Sequence, residues 1–517
     1  MASEANVLNR ASGARLLGFA ILLAALVRLF LFWQYYCISS DGVHYIDAAK
    51  DFFSGRTAEG LSSVYPPGYP LMVASLYALI GNWEIAGQIW SLLSGVLLLI
   101  PLYVLCKRLY GEKVALAACF LAAIAPHLAR YSAHVRTESL FILLSTVALL
   151  LFHQGIEAGL VNRFFYGGLV SGFAYLVRPE SIGFLAIVPI TLAVRCWVKH
   201  HRGFRWFFGA CLLLLVGFLL PASPFIYYLS LAAGQWGTVS RKAGVTLFIS
   251  LQESGLLEAL EPGSIPNLGS LTMIEFISNY PTLYMKKVAL DLLPSVGIFF
   301  EALYYAYVPF LLVGLWLAVR KRFWEREDLL LAVFILFYIV GFALIYVNRR
   351  YSVQMIPAAL GWTAVGLLWC WDYLKKFIPP KNFGVIGFVL ASLLVLATLG
   401  KTLKPISPEK AHVREAGWYF KGLKGSDELR LLVFDDRISF YGEAKPILLS
   451  ELKEQDLIRY LRQGKADYLA TEIAPWQQYF PMVAQSPGLY GLVWEREFRA
   501  TGKGRLIVFK VGHKEGE

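Results

Sequence analysis

Charge is what this 517-residue chain has least of. Only 16% of its residues are Asp, Glu, Lys or Arg, while 57% are hydrophobic. Ordinary soluble domains carry about a quarter charged residues, so a wholly soluble globular protein is excluded. Cysteine is scarce too. Cys37, Cys106, Cys119, Cys196, Cys211 and Cys370 all lie in or beside apolar runs, and none forms a CxxC pair. Neither a disulfide framework nor a zinc site is supported. No Rossmann fingerprint or P-loop is present, which removes the usual grounds for a nucleotide-sugar or ATP site. A GxSxG elbow and an HExxH pair are missing as well. No repeat of fixed period and no low-complexity segment interrupts the chain.

What the chain does have is apolar runs. Segments at 14–36, 84–106, 113–129, 138–154, 163–178, 181–198, 206–227, 301–319, 328–347, 352–371 and 383–400 read as membrane spans, about eleven in all. A span needs roughly 18 or more apolar residues to cross about 30 Å of hydrocarbon. The first run is longer than a signal-peptide core and lacks a small-residue cleavage site, so it is expected to stay as an uncleaved span. The stretch 68–81 is apolar but too short to cross. The net charge of +12 does not point to nucleic acid. The excess sits in short loops such as "WVKHHRGFRW" and "VRKRFWER", the pattern that orients a membrane protein. Lys107, Arg108 and Lys113, then Arg195, Lys199, Arg202 and Arg205, then Arg320, Lys321, Arg322 and Arg326, then Lys375, Lys376 and Lys381 mark one side as cytoplasmic. An odd count of spans then leaves the N-terminus inside and the C-terminus outside.

The predicted organisation is a membrane module over 1–400 with long outer loops at 37–83 and 228–300, followed by a tail at 401–517. Within the second loop, "NYPTLYMKKVALDLL" reads as an amphipathic helix on the membrane surface. The tail has soluble composition. It alternates strand-like "LRLLVF" and "ADYLATE" with the helix-like "ELKEQDLIRYLRQG", so a small α/β domain outside the membrane is expected.

The stretch "SSDGVHYIDAAKDFFSG" follows the first span. From Asp41 onward Val43, Ile46, Phe52 and Phe53 share one helical face, and His44, Asp47, Asp51 and Ser54 the other. Asp41 at the start of this helix has two readings, an N-cap or a carboxylate placed at the membrane–water boundary to take a proton. Asp47 and Asp51 read as a wetted face beside Lys50. Further on, "HLARYSAHVRTES" sets Arg136 and Glu138 at an outer span end. There Glu138 either caps the next helix, pairs with Arg136, or serves as a second acid. "LVRPES" places Arg178 and Glu180 at a turn that Pro179 enforces, where an arginine can also reach a phosphate. Arg349 and Arg350, beside Tyr351, either snorkel or bind.

Taken in order, these elements resemble a known family. An acid just past the first span, "YPPGYP" from Tyr65, a span ending "KRLYG", an outer "RTES", and "NRRYSVQMIPAALGW" opening a late span are similar to the GT-C superfamily. Within it they resemble the polyprenyl-phosphate-sugar glycosyltransferases of the protein mannosyltransferase and lipid A aminoarabinose transferase branch. The resemblance runs over roughly residues 15 to 370. It implies a sugar donor held on a polyprenyl phosphate in the outer leaflet and inversion at the anomeric centre. Asp41 would be the catalytic acid–base group and Glu138 the second acid. His44, Tyr45, Arg136, Arg178, Glu180, Arg350 and Tyr351 would contact substrate. The acceptor would be a lipid, a polysaccharide or a protein. Oligosaccharyltransferase relatives carry paired acids in the first loop and use a metal. Here Ser40 and Gly42 flank Asp41, so no cofactor is required by the sequence. A divalent cation near Asp41, with His44 and Glu138, stays a candidate.

The expected molecule is therefore a polytopic α-helical membrane protein of GT-C type, with membrane lipids and a lipid-linked sugar as partners and no nucleic acid. The rival expectation is a transporter or flippase. Transporters place charge near the bilayer midplane on broken helices, often in repeated halves, whereas here the acids cluster at outer span ends.

Overall fold

A computed structural model describes residues 2–199, 203–256, 273–323, 328–423, 425, 428–499 and 504–512. Arg202 and Arg326, two of the orienting residues, lie outside these. The chain divides into two compact units, Met1–Phe30 with Ala48–Lys404, and Leu31–Asp47 with Pro405–Glu517.

The first unit is helical because its apolar runs can satisfy their backbone only internally once water is gone. Every expected span falls on helix, but the helices differ in reach. Among the described residues seven are long and apolar enough to cross alone: Ser12–Trp33, Trp83–Tyr110, Glu138–Ala158, Pro179–Trp197, Phe204–Ala233, Arg349–Leu374 and Pro380–Thr402. An eighth forms only if Pro281–Leu303 and Val308–Arg320 count together, and these meet at 113°. The expected spans at 113–129, 163–178 and 328–347 become Glu112–Ile124, Asn162–Val177 and Leu329–Leu344. At 1.5 Å per residue these are about 20–24 Å long, short of the full hydrocarbon thickness. Pro126 ends the first of them, and a six-residue helix, Pro126–Tyr131, follows.

Local chemistry sets several boundaries. Gly81, at φ 70°, closes Gly68–Ile80 by donating its N–H to Tyr77, and Asn82 caps the next helix by accepting from Ile85 N at 3.0 Å. Helices Asn162–Val177 and Phe204–Ala233 approach through glycine. A Cβ on Gly168 would lie 2.3 Å from the carbonyl of Leu214, and one on Gly172 2.4 Å from that of Phe218. Small residues let backbones meet this closely, which is how helices associate where lipid removes the hydrophobic drive. At the centre, Phe152, Phe184, Phe334 and Tyr338 form a continuous aromatic run at 4.9–5.6 Å centroid spacings.

The helix expected over "NYPTLYMKKVALDLL" is present as Pro281–Leu303 but is not a simple surface helix. Lys287 is fully buried, donating to the carbonyls of Ala343 and Ile345 at 2.8 Å each and lying 3.1 Å from Asp291 Oδ2. Arg28 is also fully buried inside the first span. Its guanidinium donates to the carbonyls of Ala24 and Ala123 at 3.1 Å and to Ser132 Oγ at 3.3 Å.

The second unit holds a five-stranded sheet among the described residues, in the order β2-β1-β3-β5-β4. The strands are β1 Arg430–Val433, β2 Lys445–Leu448, β3 Tyr468–Glu472, β4 Leu492–Arg499 and β5 Arg505–Val511. β1 runs parallel to β2 and β3, while β5 is antiparallel to β3 and β4. β1, β3 and the helix Glu454–Arg462 stand where the sequence predicts them. That helix buries Leu457 and Leu461 and turns its charges outward. Residues 31–47 join this unit through a bridge between Tyr35 and Ile406 and a 2.7 Å bond from Ile38 N–H to the Tyr441 hydroxyl.

Candidate active site

In the helical unit one carboxylate organises the charged groups that the sequence singles out. Glu138 opens the helix Glu138–Ala158 and is 2% exposed. Arg178 Nη1 lies 3.2 Å from its Oε1, and Arg350 Nε donates to the same oxygen. Each arginine is delivered by a broken backbone. Arg178 is extended, at φ −150°, where Asn162–Val177 stops before Pro179. Arg350 sits in the short helix Arg349–Ser352, whose cap, Asn348 Oδ1, accepts from Arg350 N at 2.9 Å.

Arg178 reaches further. Its Nη2 donates to Glu180 Oε1 at 2.6 Å, and its guanidinium lies 5.6 Å from the Phe141 ring and 5.0 Å from the Tyr351 ring. Aromatic faces on a guanidinium hold it electrostatically and keep water out. Tyr338 donates to the Glu180 carbonyl at 2.8 Å. Arg136 lies 5.9 Å from the Tyr131 ring, and its carbonyl accepts from Ser91 Oγ at 3.1 Å. Arg349 turns instead to Glu301, at 2.6 Å.

Two facts give this cluster chemical capacity. Arg136, Arg178 and Arg350 outnumber Glu138 and Glu180, so the group is net positive. Among the described residues, Glu138 Oε2, Glu180 Oε2 and Arg136 Nε are buried without a hydrogen-bond partner. Such groups cost free energy unless something pairs with them. A ligand with an anionic end and hydroxyl groups would answer both conditions. Glu138 is paired, as one of its readings expected, but its direct contacts are to Arg350 and Arg178 rather than to Arg136.

Asp41, His44 and Tyr45 lie in the second unit. Helix Ser40–Phe53 carries Asp41 in its first turn, but Ser39 Oγ accepts from Gly42 N at 3.1 Å. The capping role considered for Asp41 is thus taken by Ser39. His44 and Asp47 are exposed, as the amphipathic pattern predicts, and Tyr45 is buried. Phe53, expected on the apolar face, is half exposed and meets the Tyr77 and Trp83 rings edge-on at 5.0 and 5.7 Å. His44 Nε2 lies 3.6 Å from Asp436 Oδ2. Burial raises the Asp436 pKa, with Asp435 and Asp47 adding to the rise while His44 and Arg437 oppose it. Among the described residues no group of three or more His, Cys, Asp or Glu could hold a metal ion. The candidate cation near Asp41 therefore finds no ligand set there, and no chemical step is derived through it.

Sequence reasoning missed Phe141, Tyr338, Asn348 and Arg28. The first three carry no signal that separates them from other core and turn residues. Arg28 did: a lone arginine inside an apolar run marks a buried polar contact or a functional site.

With helices and charges in place, the class of molecule follows. This is an integral membrane protein with the GT-C fold and a small C-terminal α/β domain. Residues 64–228, about a third of the chain, match the family model of dolichyl-phosphate-mannose-protein mannosyltransferases. ArnT from Cupriavidus metallidurans in the apo state is similar in structure with a TM-score of 0.58 at 14% identity, over 95% of this chain and 97% of that one. The same protein bound to undecaprenyl phosphate gives 0.56 at 14% identity, over 95% and 98%. The apo oligosaccharyltransferase of Archaeoglobus fulgidus gives 0.57 at 12% identity, over 97% of this chain and 75% of that one. No curated protein sequence is similar enough to match. The GT-C resemblance read from the sequence is thus met by the fold.

Proposed function

We propose that this protein is an inverting glycosyltransferase that moves a sugar from a polyprenyl-phosphate donor to a lipid, glycan or protein acceptor on the outer face of a bacterial inner membrane. The observation that carries the reading is the net-positive cluster of Arg136, Arg178 and Arg350 around Glu138 and Glu180, with Glu138 and Arg178 buried at its centre and polar atoms left for a ligand. The undecaprenyl phosphate bound by a structural relative supports a donor of that chemistry. The Lys/Arg bias of the short loops supports a cytoplasmic N-terminus and an external C-terminal domain.

In this mechanism Asp41 takes the proton of an acceptor hydroxyl as its oxygen attacks the anomeric carbon. The bond from that carbon to the phosphate oxygen breaks, and polyprenyl phosphate leaves as an anion. Attack from the face opposite the leaving group inverts the centre. The arginines stabilise charge as it develops on the phosphate, where preorganised donors in a dry site act most strongly. Glu138 holds Arg178 and Arg350 in place, and its second oxygen accepts from a sugar hydroxyl.

The test is Asp41→Asn, which keeps size and removes basicity. Purified variant protein should be folded and inserted but fail to transfer sugar. Turnover at the wild-type rate would remove Asp41 from the mechanism. Movement of lipid-linked sugar across sealed vesicles without transfer would favour a flippase instead.

A further inference from the structure

The second unit contains a cleft of about 290 Å³ that the proposed chemistry does not use. It opens beyond the carboxyl ends of the parallel strands β1 and β3, lined by Phe434, Asp435, Asp436 and Arg437 after β1 and by Thr471 and Glu472 at the end of β3. In the strand order β2-β1-β3-β5-β4 the chain leaving β1 runs to β2 on one side and the chain leaving β3 runs to β4 on the other, so the switch point lies between β1 and β3. Open α/β sheets bind ligands at that crevice.

The lining has a definite chemical character. Asp435 accepts from Arg437 at 2.7 and 2.5 Å. Lys410 Nζ donates to Glu472 Oε1 at 2.7 Å, and His412 Nε2 lies 3.7 Å from the same oxygen. Three carboxylates stand against Lys410 and Arg437 on the lining, so a phosphate meets a surface of its own sign, while two of the three carboxylates are already paired with these cations and offer little to a polyamine. Alternating donors and acceptors suit a neutral molecule that offers both on each group, which is what a hydroxyl does. Phe434 supplies an apolar wall, with its ring 5.6 Å from Tyr479 and 5.8 Å from Phe480. A flat C–H face over an aromatic ring and hydroxyls between charged pairs is the shape of a pyranose. The volume, at the small end of ligand pockets, fits a sugar ring rather than a lipid. Ser40 also lines the cleft.

We infer that this cleft binds a neutral sugar of the acceptor. That the sugar belongs to an acceptor rests on the transferase reading, and sugar binding rests on the cleft alone.

The experiment uses the full chain in nanodiscs. Methyl glycosides of glucose, mannose, galactose and N-acetylglucosamine are tested by saturation-transfer NMR, with glycerol 3-phosphate and spermidine as charged comparators. At least one glycoside should bind, and Glu472→Gln and Phe434→Leu should each weaken it tenfold or more. Two variants on different walls guard against misfolding of one, and both are checked by circular dichroism. Binding of only the anion or only the polyamine, no glycoside binding, or equal binding by wild type and both folded variants would overturn the inference. Donor cleavage by the wild type is assayed separately. Glycoside binding without donor cleavage would refute the transferase reading and keep the sugar site. Donor cleavage without glycoside binding would do the reverse.

Discussion

Glu138 shows what a single buried carboxylate controls. Two guanidinium groups share its Oε1, and it is 2% exposed. Removing one partner from a buried ionic group leaves uncompensated charge and costs about 3–5 kcal/mol. Glu138→Gln should therefore lower the thermal unfolding midpoint clearly, and Glu138→Gln combined with Arg350→Gln should recover part of the loss. Equal midpoints for all three proteins would mean that the cluster is not coupled. Arg350 has a second consequence. If it meets the donor phosphate, its loss removes a charge-assisted bond worth about 1.5–3 kcal/mol, tenfold or more in rate at low donor. Arg350→Lys should be impaired because an ammonium cannot form the paired bonds of a guanidinium, and Arg350→Ala should be worse. Initial rates against donor concentration decide this, and rates matching wild type at every concentration would leave Arg350 as an anchor. His412 carries a pH effect. Burial lowers its pKa, Glu472 opposes that and Lys410 adds to it. A histidine kept neutral in the fold gives stability that is present above its unfolded pKa, about 6.5, and lost as pH falls toward the folded value. Protection of the Ala411–Leu423 amides from hydrogen exchange should drop between pH 7.5 and 5.5, and His412→Gln should flatten that drop.

Among the elements, the pair Asn162–Val177 and Phe204–Ala233 carries the sharpest constraint. The glycine contacts bring backbones together where any Cβ would meet a carbonyl oxygen at 2.2–2.4 Å. Gly172→Leu should abolish recovery of folded protein, whereas Gly209→Ala, with nothing within 4 Å of its Cβ, should be recovered like wild type. Size-exclusion chromatography after detergent extraction separates the two. Equal recovery would show that the helices can part without harm. The short helices carry a different lesson. Apolar composition revealed Glu112–Ile124, Asn162–Val177 and Leu329–Leu344 as elements, but not that each stops short of a full crossing. Hydropathy averages over a window, while a helix ends at one residue such as Pro126.

For the molecule as a whole, the Lys/Arg bias of the loops predicts an orientation. Tags after Lys113 and near Arg202 and Arg322 should be protected in intact spheroplasts. Tags near Gly263 and at Glu517 should be cleaved by added protease. Arg202, Gly263 and Glu517 lie outside the described residues, and the expectation for them comes from the Lys/Arg bias alone. Protection of the Glu517 tag would place the C-terminal domain inside and remove it from any outer acceptor.

Taken alone, the sequence determined the class of this protein, because transfer of apolar segments out of water depends on composition over about twenty residues and needs no knowledge of neighbours. It also pointed to Asp41, Arg136, Glu138, Arg178, Glu180 and Arg350, because ionisable residues beside apolar runs are costly and stand out. Only the tertiary structure decided which of them meet. Arg178 and Arg350 reach Glu138 across 40 and 212 residues of chain, and pairing at that separation is set by helix packing rather than by spacing. It decided equally that Ser39 rather than Asp41 caps the helix, and that residues 31–47 belong with the C-terminal sheet. A short segment after an apolar run has no periodicity that names its partner. The Tyr35–Ile406 bridge and the Ile38–Tyr441 bond satisfy its backbone only once the distant chain has folded.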